Sequence, residues 1–153
     1  LQDNNILACT RDHIRKVFQM LKTQTSIEFQ GGLDANRVTD DIAEELRGLR
    51  IRTLWLACDH ASAIPGLEKA VRKLQKAGFG KHHLHCYVLI GKDMQEEEAR
   101  LRAVYEIGCL PFAMLHRDTE NKPPTKEWRA FQRTWARPAA YRSMIKKELA
   151  NGR

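Results

Sequence analysis

The chain has 153 residues, of which 42% are hydrophobic and 29% charged, and its formal net charge is +7. That is one domain's worth of chain with an ordinary globular composition, large enough to bury a core. No run approaches the roughly 18 apolar residues of a membrane span, and no signal-peptide pattern is present, so membrane function is not expected.

The charge raises the question of a polyanionic partner. The 26 basic residues, however, are spread over every expected helix and are densest at the C-terminus. Without a recognition motif this reads as solvated helix faces rather than a nucleic-acid surface. Cys9, Cys58, Cys86 and Cys109 stand far apart with no CxxC pair. Scattered single cysteines read as reduced, cytoplasmic thiols.

Taken in order, Asp3-Asn4-Asn5 is a turn former that closes a strand expected to lie upstream of Leu1, so the chain reads as a fragment. Thr10 or Asp12 caps a helix whose apolar stripe is Ile14, Val17, Phe18 and Leu21. A strand from Ile27 to Gln30 ends in Gly31-Gly32-Leu33-Asp34. Thr39 then caps a helix with Asp40 and Asp41 in its first turn and Val38, Ile42, Leu46 and Leu49 on its core side.

The next strand, Thr53 to Cys58, is too continuously apolar to have one wet face. Pro65 opens a helix with Leu67, Ala70, Val71 and Leu74 inward and Gly78 at its end. Leu84 to Ile90 is the most apolar strand, and Glu96-Glu97-Glu98 enriches the following helix start. Ala103, Val104 and Ile107 form that helix's buried face, Gly108 stops it, and Leu110 to Leu115 is the last strand, ending in His116-Arg117-Asp118. After a polar loop containing Lys122-Pro123-Pro124, two short helices separated by Pro138 carry Trp128, Phe131 and Trp135, then Tyr141, Met144, Ile145 and Leu149.

Strand starts near residues 27, 53, 84 and 110 give a βα period of 26 to 31 residues. Alternating strands and helices predict parallel strands with right-handed crossovers, as an open doubly wound sheet or an arc of a (βα) barrel. In a barrel the site lies at the carboxyl ends of the strands, where this chain places its polar residues.

Four constellations carry candidate chemistry. Gly31-Gly32-Leu33-Asp34 lets a ligand approach the backbone, with Asp34 as hydrogen-bonding group, though it lacks dinucleotide GxGxxG spacing. Cys58-Asp59-His60 looks reactive, but neighbours in a strand face opposite sides, so Cys58 is expected to be buried and the other two to be loop residues. His82, His83, His85 and Cys86 lie at the start of a strand with no second ligand pair, so no metal is expected. Trp128, Phe131 and Trp135, with Arg129 and Arg133 between them, resemble a base-stacking set but read first as core packing.

Several phrases in one order carry a family resemblance: Asp3-Asn4-Asn5, Gly31-Gly32-Leu33-Asp34-Ala35, Thr39-Asp40-Asp41, Tyr87-Val88-Leu89-Ile90-Gly91, Leu110-Pro111-Phe112-Ala113-Met114, and the tail from Trp128 to Pro138. Together they resemble the C-terminal half of radical SAM iron–sulfur proteins. The resemblance implies α/β architecture: a partial (βα) barrel of about four parallel strands with outer helices over residues 1–117, and a helical extension over 118–153. It also implies S-adenosylmethionine and a [4Fe-4S] cluster in a full-length parent, with no cofactor for this chain alone. On that mapping Asp3, Asn4, Asn5 and Asp34 line the cavity, with Gly31, Gly32, Asn36 and Arg37 among the cofactor-binding positions; the backbone near Ile90 and Gly91 lies by the adenine, and Asp59 or His60 near ribose or substrate.

The chain departs from the family in two places. No CxxxCxxC triplet is present, and Asn36 stands where an arginine is expected, with Arg37 one place later. The expectation is a catalytically silent half whose open side is covered by an N-terminal half or by self-association. A freestanding binding module and, more distantly, a nucleic-acid binder are the alternatives.

Overall fold

The computed structural model describes residues 5–116 and 123–152. Four strands, β1 (Ile27–Leu33), β2 (Ile51–Ala57), β3 (Leu84–Ile90) and β4 (Leu110–Leu115), form one sheet in the order β1-β2-β3-β4. Every adjacent pair is parallel. The helices α1 (Arg11–Leu21), α2 (Asp40–Arg47), α3 (Ile64–Lys76) and α4 (Met94–Ile107) alternate with the strands, and α5 (Lys126–Trp135) and α6 (Pro138–Ala150) follow β4. The fold is therefore an open α/β sheet with flanking helices and a C-terminal helical extension, the arc rather than the closed barrel.

Side-chain caps set the helix starts. Thr10, Thr39, Asp93 and Thr125 each accept a hydrogen bond from a backbone N–H of the first turn of α1, α2, α4 and α5. Pro65 and Pro138 lie in the first turns of α3 and α6, where a missing N–H removes no helical bond.

The core lies between the helices and one face of the sheet. Leu54 and Leu56 of β2, Leu84, Cys86, Val88 and Ile90 of β3 and Ala113 of β4 are buried there against Leu46, Leu67, Val71, Leu74, Leu101 and Val104. Each leucine so buried contributes about 1.5–3 kcal/mol relative to exposure. In α4, Leu101 and Val104 reach the core fully, whereas Ala103 and Ile107 are only half-buried.

The structure corrects two expectations. β1 does not stop at Gln30 but runs through both glycines to Leu33, with its register to β2 shifting between Phe29 and Leu33. Gly32 has φ +78, so the strand passes this irregularity in a conformation that disfavours a side chain. β2, moreover, is not sealed on both faces: Arg52 is exposed, and Thr53, Trp55 and Ala57 are only half-buried.

What made β2 look doubly covered is mutual shielding by rings on the open face. Trp55 stacks on Tyr87 at 4.3 Å and lies 4.5 Å from His85, and Phe112 meets both Trp55 and Tyr87 edge-on. The Tyr87 hydroxyl donates to the Gln30 carbonyl (3.1 Å). Offset and edge-on ring pairs add roughly 0.5–1.5 kcal/mol each beyond their burial.

The extension is tied to the rest of the molecule. Gln132 of α5 donates to the Ala113 carbonyl of the edge strand β4. Trp135 stacks on Tyr141 of α6, which packs edge-on against Tyr105 of α4. Arg102 of α4 holds Glu98 and, across to α6, Glu148.

Candidate functional site

The carboxyl ends of β2, β3 and β4 open into a cavity of about 590 Å³. Its walls come from the segment after β2 (Asp59, His60, Ala61), the start of α3 (Ile64), the end of β3 (Leu89, Ile90), the first turns of α4, and His116 after β4. This is the side of a parallel sheet on which open α/β proteins bind ligands, and the volume lies within the range of small-molecule sites.

The loop that follows β3 is held from below by one carboxylate. Glu97 is buried to 5% exposure; its Oε2 accepts from the Gly91 N–H (2.8 Å) and its Oε1 from the Lys92 N–H (3.0 Å). Gly91 turns at φ +133, which lets the chain leave the strand and enter α4 directly. Asp93 completes the turn by accepting from Gln95 and Glu96 N–H, both at 2.9 Å.

The last residue pair of β3 is gripped by side chains where its neighbour strand has ended. The Asp59 carboxylate accepts from the Leu89 N–H (3.3 Å), continuing the ladder past Ala57. From α4, Arg100 donates Nη2 to the Leu89 carbonyl (2.5 Å), while its Nε is buried with no hydrogen-bond partner among the described residues. Both backbone polar groups of Leu89 are thereby satisfied, and Lys92, His60 and His116 stand around the rim of the cavity.

The candidate residues separate into two groups. Asp59, His60 and Ile90 line the cavity, and Gly91 forms the turn behind it. Asn5, Gly31, Gly32, Asp34, Asn36 and Arg37 gather instead around the end of β1. There the Asn5 side chain accepts from the Asp34 N–H (3.2 Å), Asp34 Oδ1 accepts from the Asn36 N–H (3.0 Å), and Asp34 Oδ2 pairs with Arg37 (3.3 Å). Asp34 is thus engaged as a turn-closing carboxylate. Arg37 also borders a second cavity of about 390 Å³, with Cys9, Arg11, Thr39 and Asp41. Asp3 and Asn4 lie outside the described residues.

Cys58 is fully buried, its Sγ directed at the His60 carbonyl (3.7 Å), and burial pushes its pKa up to about 11 against the opposing pull of Arg100. It is a protonated core thiol. Cys86 and Cys109 are equally buried, and their pKa values are raised for the same reason. The histidine-rich segment divides in the same way: Cys86 faces the helices, while His85 stacks on Trp55 over the open face. Among the described residues no three His, Cys, Asp or Glu side chains come together as a metal-binding group.

Sequence reasoning missed Arg100, Lys92 and Glu97 as cavity residues. In sequence they belong to a charged run that reads as the wet face of a helix. The one available signal is spacing: Glu97 and Arg100 are three apart, on the side of α4 shared with the buried Leu101 and Val104.

The site and sheet define a parallel α/β protein with a ligand-sized cavity at its strand ends. The chain matches no protein-family model, no curated protein and no solved structure.

Proposed function

We propose that this chain is the cofactor- and substrate-cavity half of a radical SAM-like protein, silent in catalysis by itself. The observation that carries the reading is the cavity at the carboxyl ends of three sequential parallel strands, with Asp59, His60 and Ile90 in its wall. Its volume suits a nucleoside-sized ligand. His60 and the rim cation Lys92 offer polar contacts, and Ala61, Ile64 and Ala99 an apolar wall.

An iron–sulfur cluster does not fit the residues present. Of the four cysteines, Cys58, Cys86 and Cys109 are buried among core side chains and only Cys9 is exposed. No step through a cluster is therefore assigned to this chain.

The test is calorimetric titration with S-adenosylmethionine and S-adenosylhomocysteine. Saturable binding is expected, weakened at least tenfold by Ala99→Phe, which fills the cavity from α4 without removing a polar group. Absence of heat with both ligands up to millimolar concentration overturns the reading.

A second reading, a half-barrel that self-associates through its open face, is favoured by the half-exposed rings Trp55, Tyr87 and Phe112. The two readings are compatible, since both leave that face in need of a cover.

A further inference from the structure

We infer that the C-terminal helical extension is a phosphate-backbone contact surface for nucleic acid, independent of the cavity. Residues 123–152 carry Lys126, Arg129, Arg133, Arg137, Arg142, Lys146 and Lys147 against only Glu127 and Glu148, a net charge of +5 in 30 residues. Residues 5–116 carry 16 basic and 14 acidic residues, a net charge of +2 in 112. Most of the molecule's excess charge therefore sits on two helices.

The pairing differs too: among the described residues six of the sixteen basic residues of the body are salt-bridged, against none of the seven in the extension. In the body of the molecule Arg11, Arg15, Arg37, Arg52, Arg72 and Arg102 each lie within salt-bridge distance of a carboxylate. All seven cations of the extension are exposed, and none forms a salt bridge among the described residues. Its Glu148 pairs with Arg102 of α4.

Helical periodicity arranges these charges. In α5 the aromatic positions Trp128, Phe131 and Trp135 pack against the core, with Trp135 1% exposed. Lys126, Arg129 and Arg133 fall on the opposite face, about one cation per turn at roughly 5–6 Å spacing. Arg137 sits at the junction, and Arg142 and Lys146 follow at i, i+4 on α6. Helices of 10 and 13 residues extend about 15 and 20 Å, long enough to meet several phosphates on a duplex carrying one charge per about 1.7 Å.

The same geometry argues against an acidic membrane as the partner. Interfacial helices need an apolar face to insert, and that of α5 is spent on the core, leaving Leu149 as the large exposed hydrophobic of the extension. It argues against base stacking too, because the rings interleaved with the arginines point inward. The expected mode is sequence-independent contact with phosphates.

The experiment is fluorescence anisotropy of the full chain with a labelled duplex DNA of arbitrary sequence across a salt series. If four or more phosphates are neutralised, log K falls against log salt with a slope of about −3.6 or steeper. The triple variant Arg129→Ser, Arg133→Ser, Arg137→Ser should weaken binding at least tenfold and flatten the slope. Removing three exposed cations from α3 instead (Lys69→Ser, Arg72→Ser, Lys76→Ser) should change it less than twofold. A wild-type slope shallower than −2 overturns the inference without reference to any variant. So does equal weakening by the two triples, or binding to phosphatidylserine vesicles with none to DNA.

Discussion

At the scale of single residues, the thiols separate most clearly. Burial lifts Cys58 to about 11 and Cys109 to about 12, and Cys86 rises for the same reason, while Cys9 is exposed. An unfolded thiol titrates near 8.5, so in each case the fold favours the protonated form. That contribution to stability is complete below the unfolded pKa and is lost as pH rises toward the folded values. Unfolding free energy should therefore decline from about pH 8.5 upward, and less steeply in Cys58→Ala. Thiol labelling at pH 8 should likewise show one fast equivalent in the native chain and four in denaturant. Fast labelling of Cys58 in the native state would remove the case for it as a core thiol and reopen a reactive role beside His60.

At the scale of elements, the cavity depends on how α4 begins. Glu97 answers two N–H groups of the β3–α4 turn from a buried position, so Glu97→Ala leaves both unpaired. Hydrogen bonds to a charged group contribute about 1.5–3 kcal/mol, and a loss of about 2–4 kcal/mol is expected by urea denaturation, with Glu97→Gln recovering part of it. A change under about 0.5 kcal/mol would mean that the turn is held by other contacts. The sequence conceals this role because three consecutive glutamates read as favourable dipole partners for a helix start. Which of them turns inward depends on the angle at which α4 leaves Gly91. Helix starts and strand centres were legible because caps and 3.6-residue periodicity are local. The run of β1 through Gly31 and Gly32 was not, since the strand crosses a register irregularity there and pairs with β2 again only at Leu33, opposite Leu56, a long-range contact that local glycine preference does not reveal. Nor was the half-open face of β2: rings that shield one another leave the same apolar pattern as rings beneath a helix layer. Of the cavity wall, Asp59 and His60 were legible as polar residues after a strand, while Arg100 of α4 was hidden in a charged run.

At the scale of the molecule, the sheet is covered unequally. Leu54, Leu56, Leu84, Val88 and Ile90 disappear beneath helices, whereas Trp55, Tyr87 and Phe112 on the other face stay half-buried and Met114 is 42% exposed. Apolar surface of this kind on a parallel sheet is normally covered, because both faces of such sheets pack against other layers. In the isolated chain the available cover is a second copy, and a stable pairing needs roughly 1,200–2,000 Å² of total buried area. Sedimentation from micromolar to near-millimolar concentration should accordingly show reversible association. Trp55→Lys should shift it at least tenfold in concentration, because the ammonium breaks the ring stack and charges the centre of the face. Met20→Lys should leave it unchanged, since Met20 is 73% exposed on α1 and belongs to no such cluster. Equal effects from the two substitutions would make association a matter of overall charge rather than of the ring face. A monomer at every concentration would show that the stack of His85, Trp55 and Tyr87 shields itself well enough to stand in water.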